Sequence, residues 1–124
     1  KTPGMIGMGE YTGNASTDGT TVIIDDGASG FKPAWLMIKR ALATESWFIF
    51  NNQSDPFNPA VHYLMADATN AENSGTGGND IDFLANGFKA RSTNAGTGAA
   101  SSYVYLAFAE NPFGGDGVAQ AKAR

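Results

Sequence analysis

The chain has 124 residues, which is enough for one domain and too few for two independent catalytic domains. Its 42% hydrophobic residues, among them 8 Phe, 4 Tyr and 2 Trp, suffice for one folded core. The net charge of −4 disfavours nucleic acid as a partner, because phosphate binding needs an excess of positive charge. With no cysteine and one histidine, the chain lacks the residues for disulfides, thiolate catalysis and sulfur- or histidine-rich metal sites.

The ends of the chain and its apolar segments bear on membranes and processing. No apolar stretch approaches the length of a membrane helix, so we expect no membrane insertion. The first residues, Lys1-Thr2-Pro3-Gly4, contain neither a start methionine nor a signal sequence. We therefore expect the chain to be processed from, or part of, a longer protein.

Short apolar segments with a period of two, separated by clusters of Gly, Asn, Asp and Ser, indicate an all-β protein. In chain order, the candidate strands are residues 5–11, 20–24, 34–40, 46–51, 61–65, 81–84, 87–91 and 102–109. About eight short strands favour an antiparallel β-sandwich or jelly roll. We expect residues 1–113 to form this single domain and residues 114–124 to be a flexible C-terminal tail.

Two local features refine this prediction. Asn86-Gly87 suits the positive φ angles of a type I′ turn and predicts a hairpin between the strands on either side of it. The only plausible helical piece is 66–73, where Asp67 is a candidate cap and the glycines that follow would end the helix.

Three candidate strands are apolar on both faces: 34–40, 46–50 and 103–108. A sandwich buries only one face of each sheet, so these strands predict a second burial surface, as in an oligomer or a larger assembly. The alternative is a large aromatic layer that half-covers the outer face of a single chain.

Few residues suggest catalysis or metal binding. His62, the only imidazole, lies in a candidate strand, where we expect it to be half-exposed, and there is no G-x-S-x-G nucleophile motif. Asp80 and Asp82 share one strand face and are weak candidates for calcium ligands. A glycosidase would need two carboxylates flanking a sugar, and the sequence places no pair in that way. We expect no enzyme activity, no metal and no cofactor.

Aromatic residues beside amides form a weak candidate sugar site, because rings stack on sugars while amides bind hydroxyl groups. The residues concerned are Trp47, Tyr63, Phe57 and Tyr11 beside Asn51, Asn52, Gln53 and Asn58. Among them, Trp47, Asn51, Asn52 and Tyr63 are the predicted ligand-binding residues.

Three segments in fixed order carry a resemblance to a known family. They are residues 30–40 (GFKPAWLMIKR), 80–89 (DIDFLANGFK) and 103–113 (YVYLAFAENPF). Together they resemble a family of tailed-bacteriophage virion proteins, and the match extends from about residue 7 to residue 124. The resemblance implies a concanavalin-A-like or laminin-G-like β-sandwich on the tail, a fibre or another exterior part of the virion. It brings no catalytic residues with it.

The resemblance also implies structural roles for individual residues. Gly30 would turn the chain into the strand, Pro33 would preset the entry to it, Trp35 would anchor the core, and Gly87 would make the hairpin. Residues 103–108 would form a central strand that closes the sheet.

These expectations combine into one functional hypothesis. It is a non-enzymatic structural protein of a tailed-phage virion, assembled in the bacterial cytoplasm and present in several copies on a fibre, the tail or the capsid exterior as decoration. Its partners would be copies of itself and other virion proteins. The alternative is a carbohydrate-binding adhesion module that recognises a glycan on the host surface.

Overall fold

The structure, a computed structural model, describes residues 1–112, all of which lie in strands, turns or irregular segments. The eight strands are β1 (Ile6–Thr12), β2 (Thr21–Ile23), β3 (Pro33–Arg40), β4 (Trp47–Asn51), β5 (Leu64–Met65), β6 (Ile81–Leu84), β7 (Gly87–Ala90) and β8 (Ser102–Ala109). Each overlaps one of the predicted strands, so the all-β prediction is confirmed. The predicted C-terminal tail lies outside the described residues.

The strands form two antiparallel sheets, which is the predicted small β-sandwich. One sheet has the order β1-β8-β3-β4-β5, and the other has the order β2-β7-β6. The core between them consists mainly of large apolar side chains, of which the most buried are Tyr103, Phe50, Phe88, Ile24, Leu36, Ile38 and Ile81. Within residues 1–112 there is no helix that could cross a membrane.

The predicted hairpin is present, but its turn is not of type I′. Leu84 pairs with Gly87, so the two loop residues are Ala85 and Asn86, and neither Asn86 nor Gly87 has a positive φ angle. Gly87 is needed for another reason. A Cβ atom at this position would lie 1.9 Å from the carbonyl oxygen of Val22 in the neighbouring strand β2.

The predicted short helix over 66–73 is wrong. This segment consists of turns and irregular backbone after β5. Asp67 does not cap a helix, because its Oδ1 accepts a hydrogen bond from the backbone N–H of Trp47 at 3.0 Å. The carboxylate therefore ties this segment to the start of β4.

Trp35 does not anchor the core, in contrast to the role that the resemblance implied. A register irregularity between Pro33 and Trp35 sets the alternation of β3 so that Leu36 and Ile38 are fully buried. Trp35 therefore lies on the opposite face of the sheet, where its ring packs edge-on against Phe108 at a centroid distance of 5.4 Å. β3 begins at Pro33, one residue before the predicted start, and Gly30 before it has a φ of +80°.

Asp26, which follows strand β2, joins the N-terminal segment to the turn that leads into β3. It is 2% exposed, and its carboxylate accepts the backbone N–H groups of Gly4 (2.8 Å), Ala28 (2.8 Å) and Gly30 (3.1 Å). Burial disfavours the charge, but these hydrogen bonds outweigh it and hold the pKa of Asp26 below its ordinary value. The ionised carboxylate thus fixes the N-terminal segment against the turn that leads into β3.

The first and last strands are neighbours in the larger sheet. β1 and β8 pair over seven residues, from Ile6 opposite Phe108 to Thr12 opposite Ser102. The backbone N–H of Ala109 also bonds to the carbonyl of Met5. Both ends of the described chain therefore leave the sandwich at the same end of the same strand pair.

Candidate functional site

The face of the five-stranded sheet that points away from the core, here called the outer face, is mostly apolar. The strand register arranges its side chains in three rows that cross the sheet. The proximal row, nearest the chain ends, is Ile6, Phe108, Trp35 and Asn51; the central row is Met8, Leu106, Met37, Ile49 and Leu64; the charged row is Glu10, Val104, Lys39 and Trp47.

Several of these side chains are unusually exposed for their type. Met8 is 44% and Trp47 40% exposed, and Phe108, Val104 and Leu64 are exposed to a similar degree. A shallow depression of about 270 Å³ lies between Met8, Met37, Val104 and Leu106. Contiguous apolar patches of this kind on soluble domains mark interaction surfaces. The three strands predicted to be apolar on both faces are the adjacent strands β8, β3 and β4, and together they form the centre of this patch.

The structure does not bring the predicted sugar-binding aromatics together. Trp47 lies at the margin of the outer face, whereas Tyr63 packs toward the core against Phe48 and Phe50, at ring distances of 5.3 and 5.6 Å. The two rings are therefore associated with opposite faces of the sheet.

The predicted amides have different roles. Asn51 stabilises a tight turn, because its Oδ1 accepts the backbone N–H groups of Gln53 and Ser54 and its Nδ2 donates to the hydroxyl of Ser54. Asn52 lines a surface depression of about 400 Å³ at this end of the sandwich. The same depression is lined by Lys32, Gln53, Phe57, Phe83 and Glu110.

The most exposed aromatic ring beside that depression is Phe57, at 83%. It lies in the loop between β4 and β5, which polar side chains hold at several points. Asp55 Oδ2 accepts the backbone N–H groups of Val61 and His62, and Asn58 bonds through its amide to both the N–H and the carbonyl of Phe83. Phe57 is thus presented on a braced loop.

His62 is hydrogen-bonded to Asp55 in this loop. Its Nδ1 lies 2.7 Å from Asp55 Oδ1, and its side chain is 32% exposed. The histidine is partly exposed, as predicted, but it precedes strand β5, because Asp55 captures the backbone N–H groups that a longer strand would use. The hydrogen bond to Asp55 raises the pKa of His62 above its ordinary value.

We expect the His62 imidazole signal, followed by NMR as a function of pH, to titrate above pH 6.5 in the folded protein. The pKa of His62 is raised in the folded state, so the protonated imidazole stabilises the fold. This stabilisation is fully present below the unfolded-state pKa of His62 and is lost as the pH rises through its folded-state pKa. The variant Asp55→Asn should lower the pKa of His62 markedly, and Glu72→Gln, which removes a weaker charge contribution, should lower it less. An unchanged titration in Asp55→Asn would show that this contact does not exist in solution.

The two calcium candidates have different partners, and only Asp82 lies beside cationic groups. Asp80 accepts the backbone N–H of Gly77 at 3.0 Å, and Asp82 lies opposite Lys89 and 3.5 Å from Arg91. Asp80, Asp82 and Arg91 line one depression near β6. In the part of the chain that the structure describes, no three His, Cys, Asp or Glu side chains are grouped closely enough to hold a metal ion.

Comparison with known proteins shows the family of the chain. Residues 1–112 match the family described as a domain of unknown function (DUF7483). No curated protein and no solved structure matches the chain significantly. Because the match covers nearly all of the 124 residues, the chain belongs to the DUF7483 family.

Proposed function

We propose that the chain is a non-enzymatic structural module of a tailed-phage virion, present in several copies on a fibre, the tail or the capsid exterior. The observation that supports this proposal best is the apolar outer face of the five-stranded sheet. A face of this kind is costly to leave in water and is typical of a surface that another subunit covers. The mechanism is packing: copies associate through their outer faces, while polar loops remain in solvent.

The resemblance of the three sequence segments to virion proteins supplies the setting. Low charge, many small polar residues and no cysteine are consistent with a packed multi-copy particle. Assembly takes place in the bacterial cytoplasm in this proposal, and the remaining partners are other virion proteins. The direct test is mass spectrometry of purified phage particles made by the cells that encode the chain. Its peptides are expected at multi-copy abundance, and their absence from particles would refute the virion assignment.

Self-association through the outer face gives a prediction for the isolated protein. Light scattering over a wide concentration range should show a mass that rises with concentration. The variant Met8→Glu places a charge on the central row and should abolish the rise, because burying an unpaired carboxylate is costly.

The matched control is Leu42→Glu. Leu42 is 85% exposed in the turn after β3 and belongs to none of the three rows of the outer face, so this variant should associate like the natural chain. Equal behaviour of the two variants would mean that the outer face does not mediate the association.

The second candidate function is carbohydrate binding, and the exposed ring of Phe57 beside the Asn52 and Gln53 amides favours it. A ring held on a braced loop can stack on a sugar with little loss of conformational entropy. This candidate site differs from the predicted one, since it uses Phe57 in place of Trp47 and Tyr63. Binding of the natural chain to a glycan array would favour an adhesive role if the variant Phe57→Ala loses this binding and the control variant Leu42→Ala keeps it.

A further inference from the structure

The outer face carries two opposite charges at symmetric positions about strand β8. In the charged row, Glu10 and Lys39 lie one strand to either side of Val104. Two copies can pack with their outer faces together, related by a two-fold axis that runs parallel to β8 between the two sheets. This rotation places each row of one copy opposite the same row of the other copy, and it places β1 of one copy opposite β3 of the other. Glu10 of one copy then faces Lys39 of the second copy, and this pair occurs twice.

The same rotation matches the apolar side chains. Val104, Leu106 and Phe108 each meet their own counterparts on the axis, Met8 faces Met37, and Ile6 faces Trp35. Each of these contacts is apolar on both sides. The two methionines are flexible and can fill the shallow depression that they line.

Other two-fold arrangements leave charges without partners. An axis that runs across the strands places the charged row of one copy opposite the proximal row of the other copy, so that Glu10 faces Ile6. An axis along β3, the middle strand of the sheet, places Lys39 against its own counterpart. Charges covered without a partner are strongly destabilising, so the charge pattern selects the axis along β8.

Both charged groups have bonding capacity left for a second chain. Within residues 1–112, Glu10 takes part in no ion pair. Lys39 Nζ donates to the carbonyls of Arg40 (2.6 Å) and Ala43 (2.8 Å), which holds the ammonium group in place at the end of β3. An ammonium group has three donors, so one remains for a carboxylate.

We propose that two copies of the chain pair through their outer faces about an axis along β8, with Glu10 of each copy bonded to Lys39 of the other. This inference rests on the proposed function, because it names the partner and the geometry at the same face. The contact covers only three strands per copy, which is small for a specific interface. We therefore expect a weak dimer that multi-copy attachment strengthens.

The decisive experiment is a charge exchange, followed by sedimentation equilibrium at high protein concentration. Glu10→Lys and Lys39→Glu should each weaken dimerisation at least about tenfold, because each creates like-charge pairs in the contact. The double variant restores opposite charges and should recover dimerisation to within about threefold of the natural chain. Glu72→Lys, an exposed change outside the three rows of the outer face, is the control and should leave the dimer intact.

Single cysteines test the axis independently, since the chain has no cysteine of its own. Packed sheets lie about 10 Å apart, so a thiol cross-linker of that span should join two copies of Val104→Cys across the axis. Leu64→Cys lies on the same face but three strands from β8, about 14 Å from the axis, and should not cross-link.

The outcomes separate this pairing from the proposed function. If the natural chain associates and Met8→Glu does not, but the charge exchange fails to restore the dimer, the outer face associates in another geometry and the pairing is refuted. A natural chain that stays monomeric at the highest concentration also refutes the pairing, whereas the virion assignment is decided by the particles.

Discussion

Replacing Asp26 by asparagine is expected to lower the free energy of unfolding by about 3 kcal/mol, because buried N–H donors lose their charged acceptor. An asparagine side chain keeps one oxygen for Ala28 and Gly30, but its amide group would then point at the N–H of Gly4. Two donors would face each other in a buried site. Chemical denaturation at neutral pH, followed by tryptophan fluorescence, measures the difference.

The pH dependence of the same variant gives a second readout. The pKa of Asp26 is lowered in the folded state, so its stabilisation is present above the ordinary value of 3.8 and is lost as the pH falls through the folded-state pKa. Asp26→Asn should lack this part of the acid-induced loss of stability. Asp25→Asn is the matched control and should have a much smaller effect, because its exposed carboxylate pairs with Lys1 and bonds to Gly27 at the surface. Equal effects of the two variants would contradict the role of Asp26.

Replacing Gly87 by alanine is expected to destabilise the fold by about 3 kcal/mol or more, because the added methyl group has no space. Its Cβ would lie 1.9 Å from the carbonyl oxygen of Val22, and a backbone oxygen in a paired strand cannot move aside alone. We expect a large drop in Tm and loss of hydrogen-exchange protection in β2 and β7.

Gly75→Ala is the corresponding control. A Cβ at Gly75 meets nothing within 4 Å, and its φ angle is not in the left-handed region. This change should be neutral or slightly stabilising, since alanine restricts the unfolded chain more than glycine does. A Gly87→Ala variant as stable as Gly75→Ala would mean that β2 does not pack against β7 as described.

The strands were predictable because their residues alternate or form short apolar runs between turn-forming clusters. β8 occupies the predicted residues, and β6 does as well. In strands that are apolar on both faces, the alternation of residues could not decide which face points into the core. Trp35 illustrates this, since Leu36 and Trp35 are both suited to a core, and only the irregularity next to Pro33 decides which of them is buried.

The candidate sites were predictable only in part, for a similar reason. The doubly apolar strands indicated a second apolar surface, and the structure has an apolar outer face. Glu10 and Lys39 lie on opposite sides of β8 because of the order of the strands in the sheet, and no local sequence pattern contains that order. Local patterns also could not show that Tyr63 packs toward the core against Phe48 while Trp47 lies on the outer face, so the sequence grouped the two rings in one candidate site.

The pairing of the first strand with the last has a consequence for how the module can be carried. Partner Cα atoms in an antiparallel pair are about 5 Å apart, so the polypeptide arrives and departs through a single point of the sandwich. A longer protein could accept the module as an insertion in one surface loop or hang it from a single tether. Glu110 lines the depression beside Phe57, so a tether at that point would place this depression next to the longer protein. The β1–β2 and β3–β4 loops, at the other end of the sandwich, would then point away from the longer protein.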